Sequence, residues 1–315
     1  MNYIGVDIGG TKCAVVLGNK NGEVIQKMSF PTTNCKETIE NIKGAVRKMG
    51  KAQAIGISCG GPLDSKKGVV MSPPNLPGWD NIPICDVLKE EFKVPVFLQN
   101  DADACALAEW KYGAGKGTQN MMFLTFGTGL GAGLILNGKL YSGASGMAGE
   151  IGHIRLAPDG PVGYGKKGSF EGFCSGGGIA RMGQSVAEKM LAKGENASFC
   201  PDASKISEIT AKGIAECAVK GHEDAIKIYE NCGEMLGRGL SILIDVLNPE
   251  MIVIGSIFAR CENLLRDGMQ KVIDEEALAQ SSKVCRVVPA RLGEAIGDVA
   301  AITVAVEGLK NERIN

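Results

Sequence analysis

One arrangement of strands and turns occurs twice in this chain of 315 residues. An apolar strand, a glycine-rich turn, a second strand, an Asn-Gly turn and a third strand begin near residue 3 and again near residue 121. The first glycine turn is Asp7–Lys12 and the second is Gly127–Gly133; the Asn-Gly turns, which favour hairpins, are Asn21-Gly22 and Asn137-Gly138. Two copies of one β-meander predict a duplicated α/β architecture with a cleft between its halves.

The second half of the chain alternates helical patterns with short apolar runs, which predicts parallel strand pairing there. The predicted helices are 179–193, 207–220, 222–246 and 257–275, and the predicted strands are 251–255 and 284–289. A final Ala-rich helix is expected at 294–310. The glycine-rich segment 143–178 is expected to be a loop, and loops of this length are usually functional or disordered.

Composition and charge exclude several classes of protein. Hydrophobic residues make up 44% and charged residues 22% of the chain, as in ordinary globular proteins. The net charge is −1 and no block of like charges occurs, so neither nucleic acid nor a membrane surface is expected as a partner. Eleven dispersed cysteines favour free thiols in a reducing cytosol. Because no secretory signal and no apolar run of ~20 residues is visible, a cytoplasmic protein is expected.

The segment Val94–Glu109 carries an acidic pair at a strand-to-helix junction. It begins as an apolar strand, reaches Asn100 and Asp101, and continues in residues that form helices. Helix capping alone would explain this pair. A carboxylate accompanied by two turns able to bind phosphate, however, is what phosphoryl transfer to a hydroxyl requires. At a helix N-terminus Asp101 is expected to stay ionised, as a base must.

Both glycine turns have a possible role in phosphate binding. The segment Gly127–Ala132 formally matches the dinucleotide fingerprint, but a hairpin follows it rather than the required helix. A tight glycine hairpin can still present backbone N–H groups to phosphate oxygens. In the first glycine turn, Asp7 could hold Mg²⁺ through water, and Thr11 and Lys12 could bind phosphate. The alternatives are structural glycine turns, an Asp that ends a strand and a surface lysine.

Five segments, in this order, resemble motifs of the ROK family, which contains sugar kinases and sugar-responsive repressors on the actin/hexokinase fold. They are Asp7-Ile-Gly-Gly-Thr-Lys12, Leu98-Gln-Asn-Asp-Ala-Asp-Ala104, Thr125-Phe-Gly-Thr-Gly-Leu-Gly-Ala-Gly133, Ala148-Gly-Glu-Ile-Gly-His153 and Ile254-Gly-Ser256. The similarity extends from residue 3 to about the end of the chain. It implies an actin/hexokinase-like (ribonuclease H-like) duplicated two-domain α/β fold with a central cleft. The smaller domain is expected at 1–116 plus 296–315 and the larger at 117–295.

The resemblance also implies the roles of individual residues in an ATP-dependent hexose kinase. Asp101 would be the catalytic base that accepts the proton of the sugar hydroxyl as its oxygen attacks the γ-phosphate of ATP. The residues implied to bind the sugar are Gly61, Asn75, Asn100, Asp101, Glu150, His153 and Glu171. Those implied to bind ATP are Asp7, Gly9, Gly10, Thr11, Lys12, Gly127, Thr128, Gly129, Gly131, Gly255 and Ser256. Mg²⁺ would accompany ATP, and a homodimer is also implied.

The segment 162–171 departs from the zinc-bearing members of the family, which have Cys-x-Cys-Gly-x-x-Gly-Cys-x-Glu after the histidine. Val162, Tyr164 and Ser169 stand at the three cysteine positions, while the glycines and the glutamate remain. The nearby Cys174 and one histidine are too few for a tetrahedral Cys₃His site, so no structural zinc is expected. Packing is expected to hold the segment instead. The aromatic candidates for this packing are Tyr164, Phe170 and Phe173.

Several other residues have two interpretations. His153 alone would be an ordinary histidine, and only its place three residues after Glu150 favours a sugar ligand. Trp79 is most simply a packing residue, with contact to the sugar as the alternative. Gly255-Ser-Ile-Phe258 stands where the family usually has a longer glycine run, so the nucleotide end rests on weaker similarity.

Three functions are considered for a chain with these motifs. The leading one is a kinase acting on the 6-hydroxyl of glucose or an N-acetylhexosamine, with domain closure limiting ATP hydrolysis. The alternative is a non-catalytic sugar-sensing ROK protein in transcriptional regulation, which would need an N-terminal helix-turn-helix region before a motif that begins at Asp7. An inactivated kinase kept as a scaffold is disfavoured because Asp101 and both glycine turns are intact.

Overall fold

The computed structural model describes residues 1–312, which form two compact units. The first unit contains Met1–Gln119, Gly133–Ala148 and the described residues from Arg291 onwards, and the second contains Asn120–Ala132 and Gly149–Ala290. Unlike the predicted division, this one assigns the segment 133–148 to the first unit. Within the first unit this segment packs closely at Gly133, where a Cβ atom would lie 2.5 Å from the carbonyl oxygen of Ala102. The strand therefore lies directly on the helix that begins at Asp101.

Within residues 1–312 the strands are β1 (Asn2–Ile8), β2 (Lys12–Asn19), β3 (Val24–Pro31), β4 (Ile55–Cys59), β5 (Leu63–Asp64), β6 (Val69–Val70), β7 (Val96–Asn100), β8 (Met121–Phe126), β9 (Leu130–Leu136), β10 (Lys139–Leu140), β11 (Val162–Gly163), β12 (Lys166–Lys167), β13 (Met251–Ile254) and β14 (Arg286–Pro289). The helices are α1 (Cys35–Met49), α2 (Ile84–Phe92), α3 (Asp101–Tyr112), α4 (Phe170–Phe173), α5 (Gly176–Leu191), α6 (Ala211–Val219), α7 (Glu223–Leu247), α8 (Ile257–Glu276), α9 (Ala279–Ser282) and α10 (Ile296–Glu312). Short 3-10 helices occupy Ile151–His153, Ala203–Glu208 and Gly293–Ala295.

The first unit is built on a sheet of order β3-β2-β1-β4-β7. β1 pairs antiparallel with β2 and parallel with β4, which in turn pairs parallel with β7. Successive side chains of β1 point to opposite faces, because strands alternate with a period of two. Ile4 and Val6 enter the core that includes residues of α1 and α2, whereas Tyr3 packs with residues of α10.

Helix α10 lies directly on this sheet because two neighbouring strands carry glycine at the crossing point. A Cβ at Gly5 would lie 2.7 Å from the backbone nitrogen of Ile302, and one at Gly56 would lie 2.3 Å from the carbonyl oxygen of Ala301. Any side chain at these positions would push the helix away from the sheet. The C-terminal helix thus covers one face of the N-terminal sheet.

The second sheet has the order β10-β9-β8-β13-β14, and β13 pairs in parallel with both β8 and β14, which confirms the predicted parallel pairing. Helices α7 and α8 approach closely, since Cβ atoms at Gly233 and Gly237 would lie 2.6 and 2.4 Å from carbonyl oxygens of α8. Helix α7 ends at Leu247, and the following Asn248, with a φ of 45°, caps it before Pro249. No helix within residues 1–312 combines the length and apolar character of a membrane span.

The segment 143–178 has more regular structure than predicted. It contains the 3-10 helix Ile151–His153, the hairpin β11–β12, the short helix α4 and the start of α5. These elements are too short to show a periodic pattern, and their many glycines resemble a loop in composition. Phe170 and Phe173 are buried, and the Phe170 ring packs directly on Gly239 of α7.

Candidate active site

Two carboxylates lie where parallel strands of the first unit end. Strands β1, β4 and β7 run in parallel, so Asp7, Gly60 and Asp101 meet at one edge of the sheet. A Cβ at Gly60 would lie 3.9 Å from Oδ2 of Asp101. The edge at the carboxyl ends of parallel strands is where open α/β sheets bind ligands. This edge is the candidate catalytic position of the first unit.

The predicted junction of strand and helix at Asn100 and Asp101 is confirmed. Asn100 ends β7 and caps α3, and its side-chain oxygen accepts a hydrogen bond of 2.9 Å from the N–H of Ala102. The Asp101 carboxylate accepts from the same N–H at 2.8 Å. A Cβ at Gly61 would lie 3.3 Å from Nδ2 of Asn100. The structure thus brings Gly61, Asn100 and Asp101 together.

The pKa values of both carboxyl groups are raised. Burial, followed by the negative charges of Asp101 and Asp298, raises the pKa of Asp7 to about 6, against the opposing charge of Lys27. Asp101 keeps an exposed face, yet the surrounding protein desolvates its carboxyl group and raises its pKa. Hydrogen bonds from the N–H groups of Ala102 and of Asp101 itself lower this pKa, but burial outweighs them. The N–H groups at the helix N-terminus therefore lower the pKa of Asp101, as expected, but by less than burial raises it. A raised pKa makes Asp101 a stronger base.

Two buried thiols lie around these carboxylates. Burial, and after it the charges of Asp101 and Asp7, raises the pKa of Cys59 and of Cys105. Both thiols therefore stay protonated at neutral pH and add no charge to the site.

The first glycine turn is tight, and Asn75 lies against it. The N–H of Gly9 donates to the carbonyl of Lys12 at 3.1 Å, and a Cβ at Gly10 would lie 2.8 Å from Asn75. Thr11 and Lys12 are exposed. Thr32, which the sequence analysis missed, donates its hydroxyl to the carbonyl of Gly9 at 2.6 Å. Thr32 directly follows β3 and lies opposite the turn, and this placement gives no local signal in the sequence.

Trp79 is completely buried in the core of the first unit, so the packing interpretation is confirmed and contact with the sugar is excluded. Its indole N–H has no hydrogen-bond partner among the described residues.

The second glycine turn is tied to Glu171. The N–H of Leu130 donates to Oε2 of Glu171 at 3.1 Å, and a Cβ at Gly129 would lie 2.8 Å from the same oxygen. The N–H of Gly131 donates to the hydroxyl of Thr125 at 3.0 Å, so this N–H stabilises the turn itself. Thr128 is exposed. Glu171, a predicted sugar ligand, is thus hydrogen-bonded to the second glycine turn, which is predicted to bind phosphate.

Glu150 and His153 flank a 3-10 helix that lies against strand β9. A Cβ at Gly149 would lie 1.9 Å from the carbonyl oxygen of Ala132, and one at Gly152 would lie 3.2 Å from Cβ of Glu171. Because both positions are glycine, the helix can approach the strand and α4 closely. Glu150 is exposed and His153 is half-buried. Glu150, His153 and Glu171 therefore lie close to the place where this 3-10 helix packs on β9 and α4.

A cavity of about 1050 Å³ opens beside the second glycine turn. Its lining includes Gly127, Thr128 and Ser256, which the sequence analysis assigned to ATP. Gly255 is buried against the Phe123 ring and does not line the cavity. Lining residues that the sequence analysis missed are Gly176, Gly177, Lys212, Lys220, Tyr229 and Arg260. The sequence contained one signal for Arg260, because it follows Ser256 by one helical turn. In the structure Arg260 donates to the Ser256 hydroxyl at 3.1 Å.

The segment 162–171 forms the hairpin β11–β12 and the first residues of α4. Within residues 1–312 no group of three or more His, Cys, Asp and Glu side chains is arranged to hold a metal ion, and the absence of structural zinc stays a prediction. Phe170 and Phe173 are buried as expected, whereas Tyr164 is 69% exposed and contacts His153 instead.

Comparison with known proteins gives a consistent result. The model of the ROK family matches residues 3–307. A glucokinase of Halalkalibacterium halodurans is 33% identical over 94% of this chain and 92% of its own length. The xylose repressor of Caldicellulosiruptor bescii is 29% identical over 88% of this chain and 71% of its own length. The crystal structure of a ROK family glucokinase from Streptomyces griseus, in complex with glucose and AMPPNP, matches with a TM-score of 0.80 and 30% identity, covering 98% of this chain and 100% of that chain.

Proposed function

Because the chain belongs to the ROK family and has the actin/hexokinase-like α/β fold of its sugar kinases, we propose that it is an ATP-dependent hexose kinase. The proposed reaction transfers the γ-phosphate to a sugar hydroxyl, O6 of glucose or of an N-acetylhexosamine. The observation that carries the proposal is Asp101, an accessible carboxylate with a raised pKa at the carboxyl edge of a parallel sheet. Glucokinases at 33% and 30% identity support it.

In the proposed mechanism Asp101 accepts the proton of the attacking hydroxyl. The hydroxyl oxygen forms a bond to the γ-phosphorus while the bond between that phosphorus and the bridging oxygen of ATP breaks, and ADP leaves. A carboxylate whose pKa is raised by burial is a more effective proton acceptor than an ordinary aspartate. Asn100 caps the helix that carries Asp101, and the hydrogen bond from the N–H of Ala102 orients the Asp101 carboxylate.

The sugar would be held by hydrogen bonds from Gly61, Asn75 and Asn100 in the first unit. In the second unit the proposed ligands are Glu150, His153 and Glu171. Glu171 supports this role because its carboxylate already accepts from Leu130 in the second glycine turn, which fixes its position before a sugar binds.

ATP is proposed to occupy the cavity beside the second glycine turn. Gly127 and Thr128 would face its phosphates, and Ser256 together with the cationic Arg260 would lie towards its other end. In the first glycine turn, Thr11 and Lys12 are exposed and would bind phosphate oxygens.

Carboxylate oxygens suit Mg²⁺, and Asp7 fits that ion because the neighbouring negative charge of Asp101 makes a cation favourable beside it. Mg²⁺ bound with ATP would neutralise charge on the phosphates. Asp7 would hold the ion through water.

A cytoplasmic homodimer is part of the same proposal. Eleven free cysteines support a reducing compartment. A sugar-sensing regulatory protein is the second candidate, because a xylose repressor matches 88% of this chain.

The test is a coupled assay of ADP release with ATP, Mg²⁺ and a panel of hexoses. Asp101→Asn should abolish sugar-dependent turnover while sugar binding measured by calorimetry persists. Asp86→Asn is the matched control, because Asp86 is also an exposed aspartate in the first turn of a helix of this unit. Sugar binding without turnover in the wild-type protein would support the sensor, and turnover that survives Asp101→Asn would refute the assigned base.

A further inference from the structure

The hairpin β11–β12 has an unusual turn residue. Its two-residue turn is Tyr164-Gly165, with φ values of 45° and 76°. Two successive positive φ values are typical of a type I′ turn, which favours Asn-Gly because bulky side chains are disfavoured in the left-handed region. A tyrosine at the first position therefore costs conformational energy, and a contact of its side chain must compensate for this.

The compensating contact is with His153. The Tyr164 and His153 rings lie with their centroids 4.9 Å apart at an interplanar angle of 71°, the edge-to-face arrangement that aromatic pairs prefer. Tyr164 remains 69% exposed, so its ring contributes little to the core. The contact with His153 is therefore the main feature that distinguishes this side chain from an ordinary turn residue.

A second contact from the same hairpin fixes the backbone of His153. The Lys166 ammonium donates to the carbonyl oxygen of His153 at 2.7 Å, and Lys166 is half-buried. Lys166 pairs with Gly163, so the ammonium and the Tyr164 ring project from neighbouring positions of one hairpin. The two contacts act on different parts of His153, one on its imidazole and one on its main chain.

The hairpin is itself fixed to the helix that carries Glu171. A Cβ at Gly163 would lie 2.4 Å from the backbone nitrogen of Gly172 in α4, so the first strand of the hairpin lies directly on this helix. Arg155 donates from Nη1 to the carbonyl of Lys167 at 2.5 Å and holds the second strand. The hairpin Val162–Lys167 thus contacts both His153 and the helix that carries Glu171.

We propose that the hairpin Val162–Lys167 positions His153 for the sugar, with Tyr164 setting the plane of the imidazole and Lys166 setting the main chain. This inference rests on the proposed function, because His153 is a sugar ligand only in that proposal. Tyr164 and Lys166 act through His153 and are positioning residues, not catalytic ones. Their loss should weaken binding of the sugar in the ground state and the transition state alike, so that KM changes and kcat does not.

The decisive variant is Tyr164→Asn, because Asn-Gly is the preferred sequence for this turn. It removes the ring but keeps or improves the hairpin, so the midpoint of thermal unfolding should not fall. We expect the KM for the sugar to rise about tenfold, with kcat and the KM for ATP unchanged. Tyr164→Phe should restore the wild-type KM, because it keeps the ring contact. Tyr141→Leu is the control for loss of an exposed tyrosine elsewhere.

The contact between the Tyr164 ring and the imidazole can be followed without any substrate. The chain contains two histidines, His153 and His222, so the NMR spectrum shows two imidazole spin systems and His222 serves as an internal reference. Tyr164→Asn should shift the His153 signals by removing the ring current, and Tyr164→Phe should leave them in place. Lys166→Met should raise the sugar KM, whereas Lys167→Met, which alters the exposed neighbour, should not.

The outcomes separate this inference from the function on which it rests. If the wild-type protein phosphorylates a sugar and Tyr164→Asn leaves the KM for that sugar unchanged, this inference is wrong while the proposed function stands. Unmoved His153 signals in the same variant would also overturn the inference. If the wild-type protein neither binds nor phosphorylates any hexose, the proposed function fails, and the NMR comparison still decides whether the Tyr164 ring contacts the imidazole in solution.

Discussion

Replacing Asp7 by asparagine should stabilise the folded protein at neutral pH. Burial and two neighbouring carboxylates raise the pKa of Asp7 from 3.8 to about 6. Between these two values the folded protein binds the proton more tightly than the unfolded chain, so the free energy of unfolding falls as the pH rises. A rise of about two pKa units corresponds to at most about 3 kcal/mol once both states are ionised. Asparagine has nearly the same shape and carries no charge.

The assay is urea unfolding followed by tryptophan fluorescence. Both tryptophans, Trp79 and Trp110, belong to the same unit as Asp7, so fluorescence reports the unfolding of that unit. At pH 7.5, Asp7→Asn should raise its free energy of unfolding by up to about 3 kcal/mol. The gain should shrink as the pH is lowered through 6 and should vanish below pH 3.8, where wild-type Asp7 becomes protonated in both states.

Asp64→Asn is the control in the same unit. A hydrogen bond from the N–H of Lys67 lowers the pKa of Asp64, so this carboxylate stabilises the protein above its ordinary pKa. Its replacement should reduce stability at pH 7.5, the opposite sign to Asp7. An Asp7→Asn protein no more stable than wild type at pH 7.5, or a gain that does not change with pH, would refute the electrostatic reasoning.

Three further predictions concern the second unit and the segment that precedes it. Gly149→Ala should lower the free energy of unfolding by at least about 3 kcal/mol, because its Cβ would lie 1.9 Å from a carbonyl oxygen of β9. Gly146→Ala, which also has a positive φ but faces open space, should cost only about 1 kcal/mol in the same urea titration. Glu171→Gln should keep the acceptor for the Leu130 N–H and leave the thermal midpoint near that of wild type while raising the KM for the sugar. Glu171→Ala should also lower stability by about 1–3 kcal/mol, since it leaves that N–H without its partner. Arg260→Met should raise the KM for ATP about tenfold with the sugar KM unchanged, and an unchanged ATP KM would argue against nucleotide binding in this cavity.

The features predictable from the sequence are those encoded by local patterns. The N-cap at Asn100 and the start of α3 at Asp101 follow from residue types with known local preferences. The parallel strand β13 and the tight first glycine turn follow from periodicity and from glycine placement in the same way.

The features that were missed depend on contacts between distant segments. Thr32 supports Gly9 only because strand pairing brings β3 beside the turn. The cavity draws Lys212 and Arg260 from two separate helices, which no spacing along the chain reveals. The raised pKa of Asp101 likewise reflects how much protein surrounds the carboxyl group, whereas the sequence showed only its helix N-terminus.

The position of α10 on β1 and β4 has a consequence for how the protein is made. Tyr3, Val16 and Ala54 are translated before the second unit, but Ile302 and Leu309, which pack with them, are translated after it. The second unit, Asn120–Ala132 with Gly149–Ala290, is therefore fully synthesised before the first unit can close its core. During this interval one face of the N-terminal sheet lacks the helix that covers it in the folded protein, and exposed apolar surface of this kind is prone to aggregation.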